Sequence, residues 1–550
     1  MLVGSFATDW ERVSRSAEKN DKSREVPESH HIPLVDWLWL GVAALLSLAL
    51  RIPFFRIPML ADEGGYAYAT QGWVDGTGEL YGDLWISRPQ GIFFVYAGIF
   101  DLFGTGTTAF RFAAWIAVAL TLIAVWGFAR MCASALAANL AALVFAVASS
   151  LPNLEGYTAN AEMFMGLPAA LAALWMLRIR RTGWSRWQLA GVGLMIGAAI
   201  ALKPSAAVMI PVALLFMVMI DGTSPVRALV QRMLWLGSGI GIVGAGLLIH
   251  GLTLGWGDFY YATITYRLSA QSAATVGLQY NLEAMGRLAW RAWALIALVV
   301  LLFALRYRLE LKGALPGLRR TFARRRLRWN PAGEPGFLTR PRNDGKLMLR
   351  LWLIGSLVGA SIGGDWWSHY LIQVIAPLSI WIGWTIVLIW PTIANPARVV
   401  LAAATVGLLV APFWVLVHGS PANMTEAMFS HPGYPAQNQV AAYLREHTEP
   451  GTTIYVAFDQ ASLYYLADRP PAYRHLYDQE LRGIPSSYSD LISIIQSDDR
   501  PEYIVSTRQP GPFADDSRAF WQEVGQHYDW VDTIEGVPIY QAKGSSSPGE

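Results

Sequence analysis

The chain has 550 residues, of which 54% are hydrophobic and only 15% charged, a composition too apolar for an ordinary soluble enzyme and suited to a protein whose solvent is the bilayer. Its formal net charge of +2 comes with basic residues segregated along the chain, not gathered on one face, which argues against a nucleic-acid partner. The single cysteine, Cys132, excludes an intramolecular disulfide framework and any cysteine-rich metal site.

Residues 1–33 are polar and mixed in charge, without an apolar run followed by a small-residue cleavage site. They read as a disordered cytoplasmic tail, not a cleaved signal peptide. The segment after Pro33 is then an uncleaved signal anchor and first span. From residue 34 to 420 the chain reads as an α-helical polytopic membrane domain. About eleven apolar segments are candidate spans, several of them short or sharing borders as at Lys203-Pro204, centred near 44, 119, 142, 171, 196, 213, 241, 297, 357, 381 and 408. Beyond about Pro421 the composition changes. Gln437 to His447 has the spacing of an amphipathic helix, TTIYVAF, PEYIVST and VPIYQA read as strands, and ASLYYLAD reads as a short helix. Residues 421–550 are therefore expected to form a small α/β domain outside the membrane.

Short cytoplasmic loops carry an excess of arginine and lysine. Placing the N-terminus inside puts Arg130, then Arg178, Arg180, Arg181 and Arg186, then Arg227 and Arg232, and finally the basic stretch Arg306 to Arg350 on the cytoplasmic side. The 421–550 domain then lies on the extracytoplasmic side. Arg51, Arg56, Arg88 and Arg111 break the trend and become candidates for binding an anion. The polar residues that sit closest to hydrocarbon fall on this same side: Asp62 and Glu63, Arg88, Glu155 and Glu162, Lys203, Asp258, and Asp365 with His369 and Tyr370. Carboxylates so close to the bilayer are costly unless they have a task.

Four stretches carry a resemblance, in their order more than singly: ADEGGYAYA after the first span, RPQGIFFVYAGIFDLFGTGTTAFRFAA, ALKPS, and GGDWWSHYLIQVIAPLS. In that order the chain resembles the membrane-embedded C-type glycosyltransferases that use polyprenyl-phosphate sugars, especially the protein O-mannosyltransferase and lipid A aminoarabinose transferase group. It departs from their pattern in having Arg88-Pro89-Gln90 for Lys-Pro-Pro, which keeps the charge, and in Gly64-Gly65 directly after the acidic pair, which leaves the backbone next to Asp62 more flexible than a helix former would. The resemblance implies inverting transfer of a sugar from a polyprenyl-monophosphate donor to a lipid, glycan or protein acceptor at the extracytoplasmic face of the cell membrane.

The chemistry asks for a base to take the acceptor hydroxyl proton and for cations to stabilise the phosphate leaving group. Asp62, with Glu63 beside it, is the candidate base. Arg88 and Lys203 are the candidate phosphate ligands, since arginine binds phosphate in bidentate fashion and lysine as a point charge. His369 and Tyr370 are further candidates for the phosphate, with a structural role open for the histidine. Glu162 either binds sugar hydroxyls or caps the next span. Asp365 and Tyr66 are candidates for the sugar or acceptor, although Tyr66 and Tyr68 also suit an interfacial aromatic belt. A monophosphate leaving group demands no cofactor, while the acidic motif of related oligosaccharyl transferases binds a divalent ion, so a metal stays open. A secondary transporter or lipid flippase, and a polysaccharide ligase or polymerase, are the competing readings.

Overall fold

The computed structural model describes residues 33–221, 225–273, 278–313, 341–362, 366–429, 432–457, 460–477, 480–481, 484–507 and 517–544. Most of the 1–33 tail, the centre of the Arg306 to Arg350 stretch and Asp365 lie outside the described residues.

All eleven expected span centres fall within helices. Among the described residues seven helices are long and apolar enough to cross a membrane: Leu34–Arg56, Thr107–Cys132, Ala161–Thr182, Val226–Thr253, Asp344–Ile362, Ser368–Thr392 and Asn395–His418. The centre near 297 lies in a broken pair, Gln279–Arg291 and Trp293–Leu311, bent by 77°. The centres near 142, 196 and 213 lie in shorter apolar helices, Ala135–Ala148, Arg186–Leu202 and Pro204–Ile220. The protein is a multi-pass membrane protein. Small residues let its helices approach closely, as where a Cβ on Gly193 would run into the Leu236 carbonyl and one on Gly239 into that of Ala190.

The first span ends in a 3-10 turn, Ile52–Arg56, with proline in its opening positions, where a missing N–H is tolerated. The chain then starts a second helix, Ala61–Val74. Glu63 Oε2 accepts from the Leu60 N–H at 3.0 Å, closing the helix start as a cap, and both acidic residues sit in the first turn where the helix dipole favours them. Asp62 is thereby fixed at a helix N-terminus.

The C-terminal region carries a four-stranded sheet in the order β1-β2-β4-β3, with β1 Ile454–Ala457, β2 Tyr503–Ser506, β3 Tyr528–Ile534 and β4 Val537–Ala542. β1 and β2 are parallel and the other pairs antiparallel. β3 and β4 are joined at Glu535-Gly536, where both φ angles are positive, the conformation that tight hairpins require. This domain sits on the Ala61–Val74 helix. Tyr477 donates its hydroxyl proton to the Ala61 carbonyl at 3.3 Å, and Tyr465 donates to the Thr105 carbonyl at 2.6 Å.

The same contact explains the glycine doublet. A Cβ on Gly64 would collide with the Ser462 backbone and one on Gly65 with the Tyr477 ring. The two glycines lie inside a continuous helix, so they leave a notch for the C-terminal domain and do not loosen the backbone beside Asp62.

Candidate functional site

Asp62, Arg88, Glu155, Glu162, Lys203 and His369 meet at one end of the bundle, although they come from five separate segments. Arg88 Nη2 lies 3.3 Å from Asp62 Oδ1, and Arg88 Nε donates to the Tyr66 hydroxyl at 3.1 Å. Both partners of the Asp62–Arg88 pair keep about a fifth of their side-chain surface open, so the pair is reachable. Tyr66 is buried and packs edge-on against Tyr96. It orients the Arg88 guanidinium and is neither an interfacial belt residue nor a free sugar ligand.

His369 occupies the middle. Its Nδ1 lies 2.8 Å from Glu155 Oε2, and its Nε2 lies 3.9 Å from Asp62 Oδ2 and 3.7 Å from Glu162 Oε1. Burial alone would raise the Glu155 carboxyl. The charge and hydrogen bond of His369, the Ser368 hydroxyl and Arg291 outweigh it and bring Glu155 down to about 2. An ionised carboxylate only accepts, so Nδ1 carries a proton and donates it, which leaves Nε2 facing Asp62 and Glu162 from beyond hydrogen-bond distance. Ser368 donates to Glu155 Oε1 at 2.7 Å, and Arg291 donates to Ser368 Oγ at 3.0 Å. Glu155 itself stands at φ +57°, a strained conformation for a side-chain-bearing residue that survives where neighbours hold it.

Lys203 pairs with Glu162 and lies 4.1 Å from the centre of the Tyr370 ring. Tyr370 therefore holds the lysine through its aromatic face. Glu162, buried at the start of Ala161–Thr182, neutralises that lysine.

Glu63 stands apart from this cluster. Arg111 Nε and Nη2 donate to its two oxygens at 3.0 and 2.7 Å, the Ala159 N–H donates at 2.9 Å, and neither Glu63 nor Arg111 has any exposed side-chain surface. With every acceptor direction filled, Glu63 is an anchor that ties the start of the second helix to Arg111, and it has no route to an acceptor proton. Arg111 also binds the Phe54, Ile57 and Pro58 carbonyls. Arg51 is likewise consumed, by Ser47, Ser149 and Ser150. Of the four arginines that broke the charge trend, Arg88 is the one in the cluster.

Two groups escape a sequence reading. Arg267, in an unremarkable TYRLSA segment, is carried by the Tyr266–Ala273 helix to donate to the Ser87 carbonyl beside Arg88. Glu480 comes from the C-terminal domain. It is 3% exposed, accepts from the Leu476 N–H at 3.2 Å, and burial pushes it up to about 8 against the opposing pull of Arg88 and Arg267. Among the described residues no three His, Cys, Asp or Glu side chains are placed to hold a metal ion together.

Residues 87–249 match the model of the dolichyl-phosphate-mannose-protein mannosyltransferase family, a stretch that begins just before Arg88 and takes in Glu162 and Lys203. The chain is similar in structure to ArnT from Cupriavidus metallidurans bound to undecaprenyl phosphate, at 15% identity and a TM-score of 0.55, covering 93% of this chain and 99% of that one. The apo state of the same protein gives 16% identity and 0.56, with 92% and 97% covered. This chain has the C-type glycosyltransferase fold. The archaeal oligosaccharyltransferase AglB from Archaeoglobus fulgidus, in complex with an inhibitory peptide and a dolichol-phosphate, shares it at 12% identity and a TM-score of 0.51, covering 86% of this chain and 69% of that one. No curated protein sequence matches the chain. In this C-type fold the polar cluster lies where membrane helices, their connecting loops and the C-terminal domain converge.

Proposed function

We propose that the protein is an inverting glycosyltransferase that moves a sugar from a polyprenyl monophosphate to an acceptor hydroxyl at the extracytoplasmic face. The observation that carries this reading is the reachable Asp62–Arg88 pair, with His369 aimed at it: a carboxylate base and a phosphate-binding cation held side by side. The family match and the fold point away from a transporter or a polysaccharide ligase.

The donor phosphate competes with Asp62 for Arg88, and Arg267 adds a second cation on the same wall. Once Arg88 turns to phosphate, the Asp62 carboxylate is free to accept. The acceptor oxygen attacks the anomeric carbon, its proton passes to Asp62, and the bond from that carbon to the phosphate oxygen breaks. The electron pair leaves with the polyprenyl monophosphate, whose charge the arginines stabilise in the transition state. His369 stands beside the Asp62 carboxylate, its Nε2 3.9 Å away, and Glu155 holds the ring through Nδ1.

A charge-assisted phosphate contact is worth roughly 1.5 to 3 kcal/mol, so Arg88→Ala is expected to lower kcat/KM for the lipid donor about tenfold to a hundredfold, and Lys203→Ala, whose charge Glu162 already takes up, to have the smaller effect. Arg56→Ala, exposed and outside the cluster, is the control and is expected to stay at wild-type level. Transfer of labelled sugar from purified polyprenyl-phosphate donors measures this. Equal losses for Arg56→Ala and Arg88→Ala would remove Arg88 from the phosphate site.

Sidedness has its own test. In a Cys132→Ser background, an impermeant thiol reagent added outside is expected to label Glu449→Cys and spare Lys312→Cys. Labelling of both from the same side would overturn the orientation.

A further inference from the structure

Beside Glu155 a cavity of ≈ 440 Å³ opens, within the range of pockets that hold small ligands, roughly 300–1,000 Å³. Its walls carry three indoles, Trp290, Trp293 and Trp414, together with Tyr157, Arg291 and Glu155. The indoles are exposed by 77, 40 and 51%. Single exposed tryptophans suit a membrane interface. Three that converge on one cleft with a polar floor call for a ligand. Tyr157 is 1% exposed, and among the described residues its hydroxyl has no hydrogen-bond partner, which is costly for a buried polar group unless a ligand completes it. Arg291, half exposed, is held only loosely to Glu155 at 3.9 Å. Glu155 is shared with the cluster described above, one imidazole away from Asp62.

Flat aromatic faces interleaved with separated donors and acceptors fit a molecule that has apolar ring faces and a rim of hydroxyls. A prenyl or acyl chain would leave the Tyr157 hydroxyl without a partner and strip water from the half-exposed charge of Arg291. We propose that this cleft is the acceptor site and that the acceptor is a carbohydrate chain, stacked on Trp290, Trp293 and Trp414, whose attacking hydroxyl passes Glu155 and His369 to reach Asp62. This rests on the transferase reading given above and selects a glycan among its possible acceptors. The balance of the reaction is unchanged: the glycan hydroxyl gains the bond to the anomeric carbon, its proton goes to Asp62, and polyprenyl monophosphate leaves.

The test uses the full-length protein in lipid nanodiscs and a panel of octyl trisaccharides built from mannose, glucose, galactose, arabinose or rhamnose, with binding read by saturation-transfer NMR. At least one member is expected to bind, and the Trp290→Ala/Trp414→Ala double variant to weaken it about tenfold while the Kd for polyprenyl monophosphate stays at the wild-type value. Tyr157→Phe, which removes only the hydroxyl, is expected to raise KM for the same glycoside severalfold with little change in kcat. The proposal is overturned if no trisaccharide binds the wild type, if binding is unaltered in both variants, or if the tryptophan substitutions weaken polyprenyl phosphate instead, which would make the cleft a seat for the lipid. Donor consumption by the wild type is measured separately, so failure of the transferase reading is told apart from failure of the acceptor assignment.

Discussion

Asp62→Asn is expected to reduce sugar transfer by about 10²- to 10⁴-fold, the usual cost of removing a general base, with donor binding not weakened, since the phosphate no longer competes with a carboxylate for Arg88. The amide keeps the shape of the carboxylate and an oxygen for Arg88, which lies 3.3 Å away, but it cannot take the acceptor proton. Initial rates at saturating donor, set beside the Kd for polyprenyl monophosphate, separate the two effects. Wild-type turnover by Asp62→Asn would remove the base assignment, because Glu63 with all its acceptor positions filled offers no substitute.

The second large effect is on stability. Arg111→Ala strands the Glu63 carboxylate in a site with no exposed surface, and breaking a buried ion pair from one side costs about 3–5 kcal/mol. A marked fall in Tm in nanodiscs is expected. Removing both charges together, as Arg111→Met with Glu63→Leu, is expected to recover only the part due to the isolated buried charge, because the Phe54, Ile57 and Pro58 carbonyls and the Leu60 and Ala159 N–H groups lose their partners as well. An unchanged Tm in Arg111→Ala combined with lost transfer would assign the pair a chemical role in place of an anchoring one.

These two expectations show what sequence carries and what it does not. The spans are legible because hydrocarbon demands long apolar stretches, and every expected centre falls in a helix. Candidate site residues are legible because charges near the bilayer need a reason, which is why Asp62, Arg88, Lys203 and His369 could be named before they were seen to meet. Pairing is another matter. Nothing in ADEGGYAYA distinguishes the reachable Asp62 from the sealed Glu63, because Arg111, which decides it, stands 48 residues away. The doublet Gly64-Gly65 looks like a loosened backbone until Ser462 and Tyr477 are found against it. Arg267 and Glu480 come from segments with no local signal, and β3, exposed along most of its length, lacks the alternation by which a strand is recognised. For the acidic pair, the glycine doublet, Arg267 and Glu480 a contact between distant segments supplies the information, while β3 is held by its hairpin with β4.

The central claim is that the reachable cluster binds the phosphate of a polyprenyl donor, and binding can be measured without knowing the sugar. Titration of the purified protein with polyprenyl monophosphate is expected to give saturable binding that Arg88→Ala weakens about tenfold or more and Asp62→Asn does not weaken. Binding that is indifferent to Arg88→Ala, or no saturable binding by the wild type, would contradict the account.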